Sequence, residues 1–461
     1  MTSPHTSGSA WVSNGARGRD RVSPLVQLLL AAITMTMAAC NPDTSDRAAA
    51  ARASAEAQAL LDGKEADERA LRAETPAPAT RLGALDNETL PAGFAVATEP
   101  IRFEFPRDHG PHPDFRHEWW YITGHLDAKS GERFGFELTF FRFALAPGNA
   151  APEAVPTGTS ARTARTDESM QDGANTAPAP SRSAWRTRQI YMAHFAITDL
   201  DRETFHASER FARGALGLAG AQPAPFRVWL DDWSLESRAH GSGSAFDVRL
   251  RAADKGYVFD LTLNAQSPVI LNGDAGLSRK SSAPGAASYY YSIPRLAVQG
   301  TVERDGQPLE VSGLAWLDRE WGSGSLGSDQ QGWDWFALQF DDGSALMFYS
   351  LRKRDGQRDE HSAGTWLAPD GSTQSLSSND VVIDVNDFWN SPRGGRYPAR
   401  WRLRVPSLAL DVDIRPRLAD QELPTDPRYW EGAATIQGTR AGANVAGRAY
   451  VELVGYARSK Q

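Results

Sequence analysis

From Ile101 onward the chain is a succession of short segments in which apolar and polar residues alternate, each cut off by Gly, Pro, Asp or Asn. A period of two marks a strand with one buried face, because successive side chains leave a strand on opposite sides. After Thr98 no long amphipathic helical pattern competes with it. Residues 117–143 read as a hairpin: Trp119, Tyr121 and Thr123 alternate with Trp120, Ile122 and Gly124, a turn follows at 127–131, and Phe134 to Phe140 return. Residues 335–351 do the same around Asp342-Gly343, a dipeptide suited to tight turns because glycine accepts a positive φ. Further strands are expected at 190–198, 226–235, 246–252, 257–264, 296–303, 381–385, 400–405, 409–414, 433–438 and 447–456. Many short strands joined by turns mean an all-β sandwich or barrel.

A faint repeat points to two such units. Gln299-Gly300-Thr301 is followed by Val311-x-Gly313-x-Ala315-Trp316-Leu317-Asp318, and Gln437-Gly438-Thr439 by Val445-x-Gly447-x-Ala449-Tyr450-Val451-Glu452. Glu118-Trp119-Trp120 and Asp334-Trp335-Phe336 open the long hairpin of each half. Two copies of a β-barrel unit account for this pattern, and coincidence among similar strands is the competing account. The expected domains are 99–325 and 326–461. Residues 147–183, rich in Ala, Thr, Pro and Arg, read as a disordered insertion in the first domain, and 277–287 as a smaller loop.

The first forty residues read as an address. Arg17, Arg19 and Arg21 precede an apolar run from Leu25 to Ala39, which ends in Met37-Ala38-Ala39-Cys40. The run is short for a membrane span and has the layout of a secretory signal. The last four residues look like a bacterial lipobox, with Cys40 as the lipidated residue; an ordinary signal with a chance cysteine is the alternative. Residues 41–98 read as a partly helical or disordered tether, ended by Pro76 and Pro78. The expected location is outside the cytoplasm, lipid-anchored to a bacterial membrane and facing the periplasm or cell exterior. Cys40 is the sole cysteine, so no internal disulfide is expected and thiol catalysis is excluded. A formal net charge of −8 argues against nucleic acid as a partner.

Candidate chemistry concentrates in Val311 to Trp321. On an extended strand Leu314, Trp316, Asp318 and Glu320 share one face, and Ala315, Leu317, Arg319 and Trp321 the other. Two carboxylates beside a tryptophan are costly to bury without a purpose. One reading pairs Asp318 with Arg319 or Arg295; the other holds it as an acid among aromatics, its proton affinity raised by desolvation. His117, Trp119 and Tyr121 share a face of the first hairpin, and Tyr289-Tyr290-Tyr291 adds further rings. Such a site suits a long apolar ligand or a carbocation held by cation–π attraction. Gly322 to Gly327 formally fits a dinucleotide fingerprint, but no helix follows it, and no G-x-S-x-G elbow occurs. His109, His112, His117, His125 and His194 cluster in sequence without a spacing that specifies a metal. No metal and no cofactor are expected.

The runs His117-x-Trp119-Trp120-Tyr121-x-Thr123-Gly124, Tyr289-Tyr290-Tyr291-Ser292-x-Pro294-Arg295, Gly313-x-Ala315-Trp316-x-Asp318-Arg319-Glu320-Trp321-Gly322 and Gly332-Trp333-Asp334-Trp335-Phe336 together resemble the AttH-like lipocalin family. That family includes hydroxyneurosporene synthase, the carotenoid 1,2-hydratase, and members named as predicted secreted hydrolases. The resemblance spans about residues 100–458 and implies two lipocalin-like barrels in tandem. It also implies that Asp318 is the acid of a water addition across an isoprenoid double bond, with Trp316 beside it and Tyr289 and Tyr291 where the hydratases place a histidine and a tryptophan. Glu320 would receive the proton from water. These features lead to an exported, lipid-anchored protein that binds or carries a hydrophobic lipid or isoprenoid through Trp316, Tyr289, Tyr291, Trp119, Tyr121 and His117. The alternative is a carotenoid 1,2-hydratase-like enzyme acting through Asp318, and a secreted hydrolase is third. A membrane transport complex as partner follows only by analogy with the family.

Overall fold

The computed structural model describes residues 93–147, 187–238, 246–324 and 326–457. The address ending at Cys40, most of the 41–98 tether and nearly all of the 147–183 insertion lie outside the described residues.

The first sheet comprises His117–Ala128 (β1), Arg133–Ala144 (β2), Gln189–Asp199 (β3), Thr204–Arg213 (β4), Ala219–Pro223 (β5), Phe226–Leu230 (β6) and Trp233–Ser237 (β7). It continues with Asp247–Asp254 (β8), Tyr257–Ala265 (β9), Ile270–Leu271 (β10), Leu277–Arg279 (β11), Ala287–Arg304 (β12) and Gln307–Gly322 (β13). Its order is β4-β3-β2-β1-β13-β12-β9-β8-β7-β6-β5, with β10 and β11 also on β12. The sheet curls so that its ends approach. The Arg210 guanidinium of β4 lies 4.1 Å over the Trp233 ring of β7, and Lys255 Nζ donates to Ala207 O at 3.0 Å. The second sheet comprises Gln330–Phe340 (β14), Ala345–Lys353 (β15), Ala363–Leu367 (β16), Thr373–Ser377 (β17) and Val382–Asn390 (β18). Arg396–Val405 (β19), Leu410–Pro416 (β20), Glu422–Leu423 (β21), Tyr429–Arg440 (β22) and Ala443–Leu453 (β23) complete it. Here the order is β17-β16-β15-β14-β23-β22-β20-β19-β18, with β21 on β22. The architecture is all-β, two barrel-like units in tandem.

The repeat is a structural one. β2-β1-β13-β12-β9-β8 and β15-β14-β23-β22-β20-β19 are the same neighbour order. Its glycines have a packing cause: a Cβ on Gly313 would lie 1.9 Å from His125 O, and one on Gly447 2.2 Å from Gln339 O. Register corrects the alignment of the opening hairpins by two residues. Asp318 stands opposite Tyr121 and Glu452 opposite Trp335, so Tyr121, not Trp119, is the counterpart of Trp335.

Other differences have local causes. The strand expected at 226–235 breaks into β6 and β7 because Asp231 turns the chain at φ 53°. The loop expected at 277–287 holds β11, which pairs with the start of β12. Ala97, expected in the tether, is buried in the first barrel.

Each barrel has its own interior. Trp120, Ile122, Phe136, Tyr289, Tyr291, Leu317 and Trp321 fill the first, and Phe336, Leu338, Trp401, Leu403 and Val451 the second. A third apolar layer lies between the barrels and contains Tyr121, Tyr290, Trp316, Trp335, Met347, Tyr349 and Tyr450. Burying one such side chain stabilises by roughly 1.5–3 kcal/mol, so this layer binds the barrels into one unit.

Candidate functional site between the barrels

Strand alternation sends β1 and β13 side chains to two different environments. Glu118, Trp120, Arg319 and Trp321 face the interior of the first barrel. There Glu118 pairs with both Arg142 and Arg319, and the Arg319 guanidinium lies 4.0 Å over the Trp120 ring. Burial opposes the Glu118 carboxylate, but Arg142 and Arg319 outweigh it and hold it well below the usual range. The other face points toward the second barrel. Trp316, Asp318 and Glu320 lie there, with Tyr121 opposite Asp318, Trp119 opposite Glu320 and His117 at the strand end.

Asp318 is 3% exposed and engages neither arginine considered for it. Arg319 is committed to Glu118 across the sheet, and Arg295 donates to Phe340 O at 3.1 Å. The Asp318 carboxylate instead accepts from three neutral donors. Ser292 Oγ and Trp316 Nε1 meet Oδ1 at 2.5 and 2.7 Å, and the Tyr290 hydroxyl meets Oδ2. Behind them stand side chains of both barrels. Trp335 Nε1 donates to the Tyr290 hydroxyl at 3.1 Å, Asn272 Nδ2 to Ser292 Oγ at 2.8 Å, and Thr365 Oγ1 to Asn272 Oδ1 at 2.9 Å. Burial pushes Asp318 up to about 6; the bonds from Ser292, Tyr290 and Trp316 moderate that rise, and neighbouring Glu320 adds to it. The group is therefore roughly one-tenth protonated at pH 7, an anion that accepts a proton readily.

Glu320 has a different setting. Lys280 Nζ lies 2.9 Å from its Oε1, and the Ser288 hydroxyl donates to the same oxygen. Lys280 sits 4.4 Å over the Tyr349 ring and 5.2 Å over that of Tyr290. Burial disfavours its charge, but Glu320 and Tyr349 outweigh that and raise its proton affinity, so it remains an ammonium ion. His117 lies parallel to the Trp119 ring at 5.9 Å, and burial pushes it down to about 3, leaving it neutral. The Tyr121 and Trp316 rings stand edge-on to Trp335 at 5.1 and 6.2 Å.

Of the residues singled out in the sequence, Asp318, Glu320, Trp316, Trp119, Tyr121 and His117 thus share one face. Tyr289 and Tyr291 do not. They point into the first barrel, where the Tyr289 hydroxyl donates to Glu99 O at 3.0 Å and that of Tyr291 meets His109 Nδ1 at 2.6 Å. The physical reason is register: Ser292 pairs with Asp318, which places Tyr290 and Ser292, not the flanking tyrosines, on the acid's face. Tyr290, Ser292, Lys280 and Trp335 were missed. A run of three tyrosines defeats alternation as a guide, and Lys280 falls in the stretch 277–287 whose composition points to a loop. Cys40 lies outside the described residues.

The AttH-like family model matches residues 96–456. A crystal structure of a putative AttH from Nitrosomonas europaea is 32% identical, covers 79% of this chain and 100% of its own, and superposes with a TM-score of 0.64. The kievitone hydratase structure from Nectria haematococca, 15% identical with a TM-score of 0.55, covers 79% of this chain and 97% of its own, and shares the fold. Among curated relatives, kievitone hydratase of Fusarium solani subsp. phaseoli is 25% identical over 57% of this chain and 73% of its own. Dehydratase asqC of Emericella nidulans is 21% identical over 46% of this chain; the match spans 65% of that relative's length, just under two thirds. A family match through both barrels, joined to a solved relative covered from end to end, establishes that the chain belongs to the AttH-like family of lipocalin-type proteins.

Proposed function

We propose that the chain is a cofactor-independent hydro-lyase that adds water to, or removes it from, a double bond of a hydrophobic ligand at the barrel interface. The observation that carries this reading is the setting of Asp318: a buried carboxylate held by three neutral donors, its proton affinity raised toward neutral pH by burial. A carboxylate kept only for structure is ordinarily paired with a cation, as Glu118 is in the same barrel. The two curated relatives bear the names hydratase and dehydratase, the two directions of one reaction.

In the hydration direction neutral Asp318 protonates the alkene carbon. The faces of Trp316, Tyr121 and Trp335 stabilise the positive charge that develops, and water adds to it. In the dehydration direction the Asp318 anion takes the carbon-bound proton. The added water sheds its proton to solvent or to a second carboxylate, since Glu320 is already engaged by Lys280 and the Ser288 hydroxyl. The leader read in residues 1–40 would hold the enzyme beside a membrane, where isoprenoids and other apolar ligands partition.

Incubating the protein with a lipid extract of its host in isotopically labelled water tests this directly. Mass spectrometry should find the label in an alcohol with the wild type and not with Asp318→Asn. A ligand that co-purifies and takes up no label in either protein would instead make this a carrier of hydrophobic molecules, the reading that needs only the aromatic layer.

A further inference from the structure

A second group of acids lies in the same interface and has no part in the chemistry above. On the first barrel's outer face, β1–β2 pairing sets Tyr121 opposite Thr139 and Thr123 opposite Glu137. On the second barrel, β22–β23 pairing sets Glu431 opposite Glu452 and Ala433 opposite Tyr450. The two patches face each other closely. The Tyr121 hydroxyl donates to Glu431 Oε1, His125 Nε2 meets Ala449 O at 2.9 Å, and a Cβ on Gly135 would lie 2.6 Å from the Ala433 Cβ.

Between them, buried polar atoms are left over. Among the described residues the Thr123 and Tyr450 hydroxyls have no hydrogen-bond partner, Glu137 has only the Thr139 hydroxyl close by, and Glu431 Oε2 makes no bond of good geometry, with the Tyr429 hydroxyl beside that carboxyl. Thr123 and Glu137 are fully buried, and Tyr450 is 3% exposed. Each orphaned atom costs about 1–3 kcal/mol, so their convergence from two facing sheets is not a neutral accident of packing. The Tyr450 hydroxyl lies within electrostatic reach of both Glu431 and Glu137, and the charges acting on Glu137 and Glu452 are those of other carboxylates.

We propose that these facing patches form a hydroxyl-binding pocket in which Glu431, backed by Glu137 and Tyr450, holds the oxygen that the ligand gains or loses. This rests on the hydro-lyase reading and supplies its second proton-handling group. Burial and the mutual repulsion of the three carboxylates raise the proton affinity of Glu431 well above the ordinary range, and burial does the same for Glu137. Neutral acids suit a hydroxyl, which accepts from one and donates to another; a cation would require them ionised. The edge-on Tyr121 and Trp335 rings span from this pocket to the Tyr290–Asp318 pair.

In the dehydration direction the Asp318 anion takes a proton from carbon. That C–H pair becomes the second bond of the alkene, and the neighbouring C–O bond breaks with its electron pair on oxygen. Neutral Glu431 protonates the departing oxygen, which leaves as water. Asp318 ends neutral and Glu431 anionic, and both reset by exchange with solvent. Hydration is the reverse.

Difference infrared spectroscopy of the full chain, with phenol as a hydroxyl-bearing aromatic probe, tests the pocket without a known substrate. At pH 7 the ligand-free protein should show a neutral-carboxyl stretching band that weakens in Glu137→Gln and in Glu431→Gln, and phenol should shift it. Tyr450→Phe removes one hydroxyl from an already buried ring and should weaken phenol about fivefold, the equivalent of one hydrogen bond. Asp318→Asn should keep both band and shift. No neutral-carboxyl band at pH 7, a band that phenol leaves unmoved, or a shift that survives in Glu431→Gln overturns the proposal. A band shift in a protein that never incorporates labelled water would refute the hydro-lyase reading and leave the hydroxyl pocket standing. Label incorporation lost in Asp318→Asn, with no band shift in the wild type, would do the reverse.

Discussion

Asp318 and Glu452 occupy the same position of the repeat, one in each barrel, yet their surroundings have opposite chemistry. Asp318 faces Ser292 across β12 and gathers three donors; Glu452 faces another acid, Glu431, across β22 and receives Trp333 Nε1 at 3.3 Å. The first site invests its polar groups in stabilising an anion. The second brings three carboxyls together and provides little to stabilise their charges. Each is also completed by the other barrel: Trp335 reaches the hydroxyl that holds Asp318, and Tyr121 reaches Glu431. Duplicated scaffold therefore does not mean duplicated function. The base stands on the repeated strand position itself, whereas the acid, Glu431, stands on the cross-strand position that Ser292 holds in the first barrel.

The contrast has a large signature in stability. Burial pushes Asp318 to about 6, Glu452 to about 7 and Glu137 to about 8, each above its ordinary carboxylate value. The folded protein thus binds these protons more tightly than the unfolded chain. Their contribution is complete below about pH 4 and is lost as pH rises through 6, 7 and 8. Chemical denaturation should show stability falling steadily between pH 4.5 and pH 8. Glu137→Gln should lessen the fall across the whole range up to about pH 8, and Asp318→Asn only the part below about pH 6. A flat profile in the wild type would mean that both sites are far better solvated than the fold implies.

Much of this was legible from the chain alone, for reasons that also explain the rest. Period-two alternation and the Gly313 and Gly447 spacing revealed two barrels because those signals are local and sterically enforced. The face shared by Trp316, Asp318 and Glu320 followed from one uninterrupted strand. What alternation cannot supply is register between strands. Tyr290 meets Asp318 because β12 pairs Ser292 with it, and a bulge between Ile293 and Leu296 separates that register from the one read at Gln299. Glu137 and Glu431 lie 294 positions apart, and only the docking of the barrels brings them together.

A pair of hydroxyl deletions sharpens the difference between the anion and the neutral acid. Tyr290→Phe removes a donor from a charged group and should cost about 1.5–3 kcal/mol at pH 7. At pH 5, where Asp318 is largely protonated, the cost should shrink. Tyr121→Phe removes the donor from Glu431, whose proton affinity is raised by burial and by Glu137 and Glu452, and should cost about 1 kcal/mol at each pH. Equal pH dependence in the two variants would erase the distinction drawn between the sites.

The smallest effect tests how far the Asp318 network extends into the second barrel. Thr365→Val keeps the shape of the side chain and removes the bond to Asn272 Oδ1, two steps from Asp318 through Asn272 and Ser292. The loss should be about 0.5–1.5 kcal/mol, the value of one neutral bond. Because Asn272 still donates to Ser292, the titration of Asp318 should move upward only slightly, and that of the Glu137–Glu431 cluster should stay where it is. Infrared titration of the two carboxyl populations separates these outcomes. A large upward shift of Asp318 alone would show that the second barrel tunes the base through Asn272. A shift of both populations would show instead that the substitution loosens the docking of the barrels, since that docking is what the two acid sites have in common.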